Sequence, residues 1–175
     1  MKSLTIRSAR VVDGTGRTID RATVVIRGDR IAAVGPDRDL SLPRGTTKID
    51  GRGLTLLPGL IDCHVHLCLG AEPDVVDAIN KETSALTLLK SGRAARQTLE
   101  AGFTTVRDVG SRDHSIFTLQ EAIGRGLVPG PRIVAAGLAI CMVGGHARFI
   151  GQEVEGVQQV RAVVRAQIAA GASVI

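Results

Sequence analysis

The run Pro58-Gly59-Leu60-Ile61-Asp62-Cys63-His64-Val65-His66 limits what this chain can fold into more than any other segment. It reads as a strand, and side chains alternate across a strand. Leu60, Asp62, His64 and His66 therefore share one face, and Ile61, Cys63 and Val65 share the other. The second face is wholly apolar and suits a covering layer of helices. The first turns polar toward its C-terminal end, where two imidazoles from alternate positions can reach one ion from one side. Neutral imidazole is the commonest metal ligand. An isolated pair of histidines is more often a chance feature of a wet strand edge. Here the pair ends an apolar run and follows a Pro-Gly turn, which is the pattern of a (β/α) barrel strand carrying a metal site.

The flanking sequence divides in two. Residues 1–57 read as short β-strands punctuated by Gly and Asp, with a turn at Asp13-Gly14-Thr15-Gly16 and a hairpin turn at Gly28-Asp29. Gly14 and Gly16 do not open a helix after a strand, so a dinucleotide fingerprint is discarded. Residues 58–175 alternate strand and helix. Leu86, Leu89, Ala95 and Leu99 have helical spacing, with an end at Gly102. A second strand is expected over 104–108, a helix over 116–123 and a third strand over 133–136. A Gly-rich loop follows. A helix over 156–170 carries an apolar stripe of Val157, Val160, Val163, Val164 and Ile168, with Gly171 closing it. Residues 172–175 read as the start of a fourth strand. Three βα units and part of a strand cannot close an eight-stranded barrel, so a fragment is expected rather than a natural C-terminus.

Composition narrows the partners. The apolar fraction is 44%, but aromatics are 2% with no Trp or Tyr, so core volume must come from aliphatic side chains. The net charge of +5 is spread along the chain without stacking aromatics, which argues against a nucleic-acid face. No apolar run reaches transmembrane length and no signal peptide is legible, so no membrane partner and a cytoplasmic setting are expected. The three cysteines have no Cys-x-x-Cys spacing. Cys63 is expected in packing, and Cys68, close behind the histidine pair, is a candidate third ligand.

Pro58-Gly59-Leu60-Ile61-Asp62-x-His64-x-His66 resembles the first-strand signature of the metal-dependent amidohydrolase superfamily. Ala101-Gly102-Phe103-Thr104-Thr105-Val106-Arg107-Asp108 resembles its second strand, Gly130-Pro131-Arg132-Ile133 the approach to its third, and Gly144-Gly145-His146 a loop of the branch holding imidazolonepropionase-like hydrolases and Xaa-Pro dipeptidases (prolidases). The resemblance implies an α/β fold: the first half of a (β/α)8 TIM barrel over 58–175, with a small N-terminal β-sandwich segment over 1–57. It implies two zinc ions, with His64 and His66 as metal ligands, and a carboxylated lysine just beyond Ile175, where the family places one after a Gly-Ala-x-x-Ile run. His146 is implied to bind substrate. Ala147 and Arg148 depart from the Gly and acidic residue that often follow it, and Arg148 could meet a substrate carboxylate.

Asp62 and Asp108 are candidates for supporting the ligands or lining the pocket; each could equally be structural, Asp108 as a partner of Arg107. His114 has no context and reads as solvent-exposed. No catalytic acid or base is assigned within this segment. The implied activity is amide hydrolysis by a metal-activated hydroxide, on a dipeptide or N-acyl amino acid. A small-molecule amide or dipeptide substrate is thus the expected partner, alongside a homo-oligomeric assembly. The alternatives are a one-metal cyclic amidohydrolase or deaminase, and a non-catalytic half-barrel.

Overall fold

The computed structural model describes residues 3–175 and divides into two compact units, Met1–Pro58 and Gly59–Ile175. In the first, β1 (Ser3–Val12), β2 (Thr18–Arg27) and β3 (Arg30–Pro36) form an antiparallel meander. β4 (Thr47–Asp50) and β5 (Thr55–Leu56) both add in parallel to β1. The result is one five-stranded sheet; the described residues supply no second sheet to face it. Val11, Ala22 and Val24 form its core, with Ile19, Ile26 and Leu56 packed against them. Gly28 turns β2 into β3 with φ +63°, a left-handed conformation that costs glycine nothing. β1 is irregular between Ile6 and Ala9, where Ser8 takes φ +60°. Asp37 holds that kink: its carboxylate accepts from the Ser8 N–H at 3.2 Å, the Ser8 hydroxyl at 2.6 Å and the Thr23 hydroxyl at 2.6 Å.

The second unit is built on a parallel sheet in the order β6 (Leu60–Val65), β7 (Phe103–Asp108), β8 (Arg132–Ala135). Helices α1 (Val75–Lys81) and α2 (Ser84–Glu100) connect β6 to β7, and α3 (Ser115–Gly124) connects β7 to β8. Thr83 caps α2 by accepting the Leu86 N–H at 3.2 Å. The core gathers Leu67, Ala95, Val106, Ile116, Leu119, Ile133 and Ala135, with Val65 and Phe103 packed against it. Its side chains are aliphatic almost throughout, as the scarcity of aromatics requires.

Four expectations are corrected. The apolar face of β6 is not covered along its length: Val65 reaches the core, but Ile61 is 64% exposed and Cys63 is exposed as well. The main helix packing falls on β7, from α2, and on β8, from α3, while β6 pairs with β7 alone. Residues 137–155 are not simply a loop. They hold β9 (Ala139–Met142), a 3-10 turn (Arg148–Ile150) and β10 (Gly151–Val154), and β9 and β10 pair in parallel. α4 (Gly156–Ala170) ends at Gly171 with φ +115°, but its apolar stripe is not its buried face. Val163 and Gln167 are buried, whereas Val157 and Ile168 are exposed. Gln167 can be buried because its amide is used twice, donating to Leu138 O at 3.3 Å and meeting His114 Nε2 at 3.0 Å. Finally, residues 172–175 form no strand. Ser173 N–H donates to Ala135 O at 2.9 Å, a single bond beside β8.

Candidate metal centre at the end of β6

The two histidines stand where β6 gives way to the following loop. His64 is exposed and His66 half-buried, with ring centroids 5.3 Å apart and planes at 81°. Asp62 accepts the His64 backbone N–H at 3.0 Å, so its carboxylate is engaged with its own strand, not with an imidazole. His66 Nδ1 lies 2.9 Å from Gly110 O, in the loop after β7.

Asp108 ends β7 in full burial, with 0% of its surface exposed. Its position explains this: β7 is the central strand, Val65 pairs with Asp108 on one side, and Ala135 pairs with it on the other. Oδ2 accepts the Leu67 N–H at 2.8 Å and Oδ1 the Gly110 N–H at 3.3 Å. The carboxylate thus ties the turn after β6 to the turn after β7. Burial pushes its pKa up to about 6, against the two N–H groups and the field of His66, which pull it down. A carboxylate so enclosed does not wall an open pocket, which corrects that part of the expectation. Arg107 alternates to the exposed side and donates from Nε to Cys63 O at 2.7 Å, so it forms no pair with Asp108.

The other candidates are placed as follows around this group. Cys68 is buried with Ile79 and Ile150, and burial pushes its thiol up to about 11. Its Sγ lies 3.9 Å from Gly110 O, the carbonyl that His66 also meets. His146 is exposed in the turn between β9 and the 3-10 turn. Gly145 precedes it where a Cβ would press on Met142 O. Arg148 is exposed nearby. His114 is exposed yet not idle, being held by Gln167 and lying 5.6 Å from the Phe117 ring. Among the described residues no group of three or more His, Cys, Asp or Glu side chains is arranged to hold an ion. The structure therefore brings His64 and His66 together and does not add His146. Two imidazoles at one strand end fit two positions of a zinc shell, which takes nitrogen ligands at about 2.0–2.1 Å. Sequence reasoning missed Gly110, which acts through its backbone; the Asp-x-Gly spacing at the end of β7 was the available signal.

The amidohydrolase family model matches residues 55–175, which takes in β6 and everything after it. The chain belongs to the amidohydrolase family. Its members are hydrolytic enzymes. Ochratoxinase from Aspergillus niger is 28% identical over 97% of this chain and 40% of its own length. Imidazolonepropionase from Rubrobacter xylanophilus is 51% identical over 49 residues, 26% of this chain and 12% of its own. A crystal structure of a prolidase complexed with N-methylphosphonate-L-proline is 33% identical, with a TM-score of 0.83 over 98% of this chain and 45% of that one. The chain thus spans less than half the length of these relatives. No helix among the described residues is long and apolar enough to cross a membrane.

Proposed function

We propose that this amidohydrolase is a metal-dependent amide hydrolase of the Xaa-Pro dipeptidase type. The observation that carries the proposal is the pair of imidazoles at the C-terminal end of a parallel strand, the end at which barrel enzymes assemble their sites. The 33% identity to a prolidase over nearly the whole chain supports the substrate class. In this reading Gly59–Ile175 is the first part of a (β/α)8 barrel and Met1–Pro58 part of a β-sandwich. Two zinc ions, a carboxylated lysine following Ile175, a cytoplasmic setting and a homo-oligomer belong to the same proposal.

The residues then divide the work. His64 and His66 hold metal, Asp62 steadies the backbone of His64, and Asp108 steadies the turn that carries His66. A divalent metal held there supplies Lewis acidity, acidifying water and polarising an amide carbonyl. His146, beside two glycines, contributes a contact to a substrate oxygen.

The test is hydrolysis of a panel of Xaa-Pro and other dipeptides, N-acyl amino acids and imidazolonepropionate by the whole protein, before and after chelation. Dipeptide cleavage that disappears with the chelator and returns with zinc is the expected result. A second reading, a one-metal cyclic amidohydrolase, rests on the 51% identity to imidazolonepropionase over 49 residues. Opening of the cyclic amide with no dipeptide cleavage would favour it and overturn the first.

A further inference from the structure

We infer that Asp108 and Gly110 are positioning residues for His66, holding its imidazole in the Nδ1–H tautomer so that Nε2 is the nitrogen offered to metal. The inference rests on the reading of His66 as a ligand and assigns to two residues outside the ligand pair the choice of nitrogen.

Three observations converge. First, His66 Nδ1 is 2.9 Å from Gly110 O. A carbonyl oxygen only accepts, so the hydrogen of that bond belongs to Nδ1 and the lone pair of the neutral ring lies on Nε2. Second, that carbonyl is not free to turn away, because the Ser111 N–H of its own peptide plane donates to Gly137 O at 2.7 Å. The N–H of Gly110 is bound by Asp108 Oδ1 at 3.3 Å, and Oδ2 of the same carboxylate binds the N–H of Leu67, the residue after His66, at 2.8 Å. One buried side chain therefore braces both turns that bring His66 and Gly110 together. Third, the ring lies against Gly110 closely enough that a Cβ there would sit 3.2 Å from His66 Cε1, 3.3 Å from Nδ1 and 3.2 Å from the Ala139 Cβ. Gly110 has no positive φ, so space rather than backbone conformation calls for glycine. Orienting groups behind metal-binding histidines fix ring and tautomer in this way, and their loss weakens metal binding about 10–100-fold.

The experiment is 15N NMR of the imidazole nitrogens in the full chain, metal-free, with histidine labelled. The chain has four histidines, assigned by single His→Gln variants. The expected spectrum gives His66 a protonated Nδ1 and an unprotonated Nε2. Asp108→Asn keeps one acceptor oxygen and loses the second; it and Gly110→Ala should erase the dominance of the Nδ1–H form and raise the zinc Kd about tenfold or more. A wild-type His66 protonated on Nε2 overturns the inference without any variant, so failure of a variant to fold does not shelter it. Variants that melt earlier but leave the tautomer and zinc affinity unchanged also overturn it, because they show a clamp serving stability alone. Adding zinc separates the two levels. An Nδ1–H ring whose Nε2 ignores zinc upholds the positioning and overturns the metal reading.

Discussion

Each unit of this chain contains an aspartate that clamps a bend in the backbone, and the two clamps are tuned in opposite directions. Asp37 is half-buried in the sheet unit and accepts two hydroxyls and a backbone N–H. The Ser8 and Thr23 hydroxyls hold its pKa below the usual carboxylate value. Asp108 is fully buried in the βα unit and accepts two backbone N–H groups, yet burial raises its pKa to about 6. Hydrogen bonds to a carboxylate favour its charge, and removal from water opposes it. Where water still reaches, the bonds prevail; where it is excluded, two bonds do not offset desolvation. The half-buried clamp stabilises a kink at low cost, whereas the enclosed one spends stability on geometry beside His66.

The largest expected effect comes from removing the enclosed clamp. Asp108→Ala orphans two buried N–H groups and should lower the unfolding free energy of the βα unit by about 2–4 kcal/mol. Asp37→Ala leaves the half-buried Ser8 donors able to turn to water and orphans only the buried Thr23 hydroxyl, so it should cost about 1–2 kcal/mol. Urea titrations of both variants would break the comparison if the order were reversed.

Acid sharpens it. A carboxylate with a raised folded pKa contributes its stability below the unfolded value near 4 and loses it as pH rises through the folded value. For Asp108 that is a fall of about 3 kcal/mol between pH about 4 and about 6, which Asp108→Asn should flatten. Asp37, lowered, contributes above its unfolded value and loses that contribution as pH drops below about 4. Asp37→Asn should remove this acid limb and leave the interval above pH 4 alone. Denaturant midpoints measured across pH 2–8 separate the two.

Two glycines give the smaller effects. Gly110→Ala overpacks a closed space and should cost about 1–3 kcal/mol. Gly28→Ala meets open space but retains a left-handed backbone, so about 1 kcal/mol is expected. Repeating the pair with Asn sharpens the distinction. Asn tolerates φ > 0, so Gly28→Asn should recover most of the loss, while Gly110→Asn should fare worse than alanine.

Local pattern carried much of this fold. β7, α3 and α4 lie within a residue or two of their expected bounds, because alternation, helical spacing and the glycine after α4 are properties of contiguous residues. The histidine pair was legible for the same reason. What pattern could not supply depends on neighbours distant in sequence. Ile61 and Cys63 have the right alternation for burial, but no helix packs mainly on β6. Gln167 breaks the stripe of α4 because Leu138 and His114 satisfy its amide. β9 and β10 are four residues each and recognisable as strands through their pairing. At the site, Asp108 was visible as a residue, but its partners Leu67 and Gly110 belong to different loops. The Asp-x-Gly spacing marks Gly110 in the sequence, but not the distant His66 ring that its carbonyl meets.

The most direct test of the account is the bound-metal content of the purified whole protein, by elemental analysis, for the wild type and for His64→Ala combined with His66→Ala. The account predicts zinc in the wild type and at least one ion fewer per chain in the double variant, with the fold retained by circular dichroism. Equal metal content in the two proteins would contradict it, since the strand-end histidines would then hold no metal.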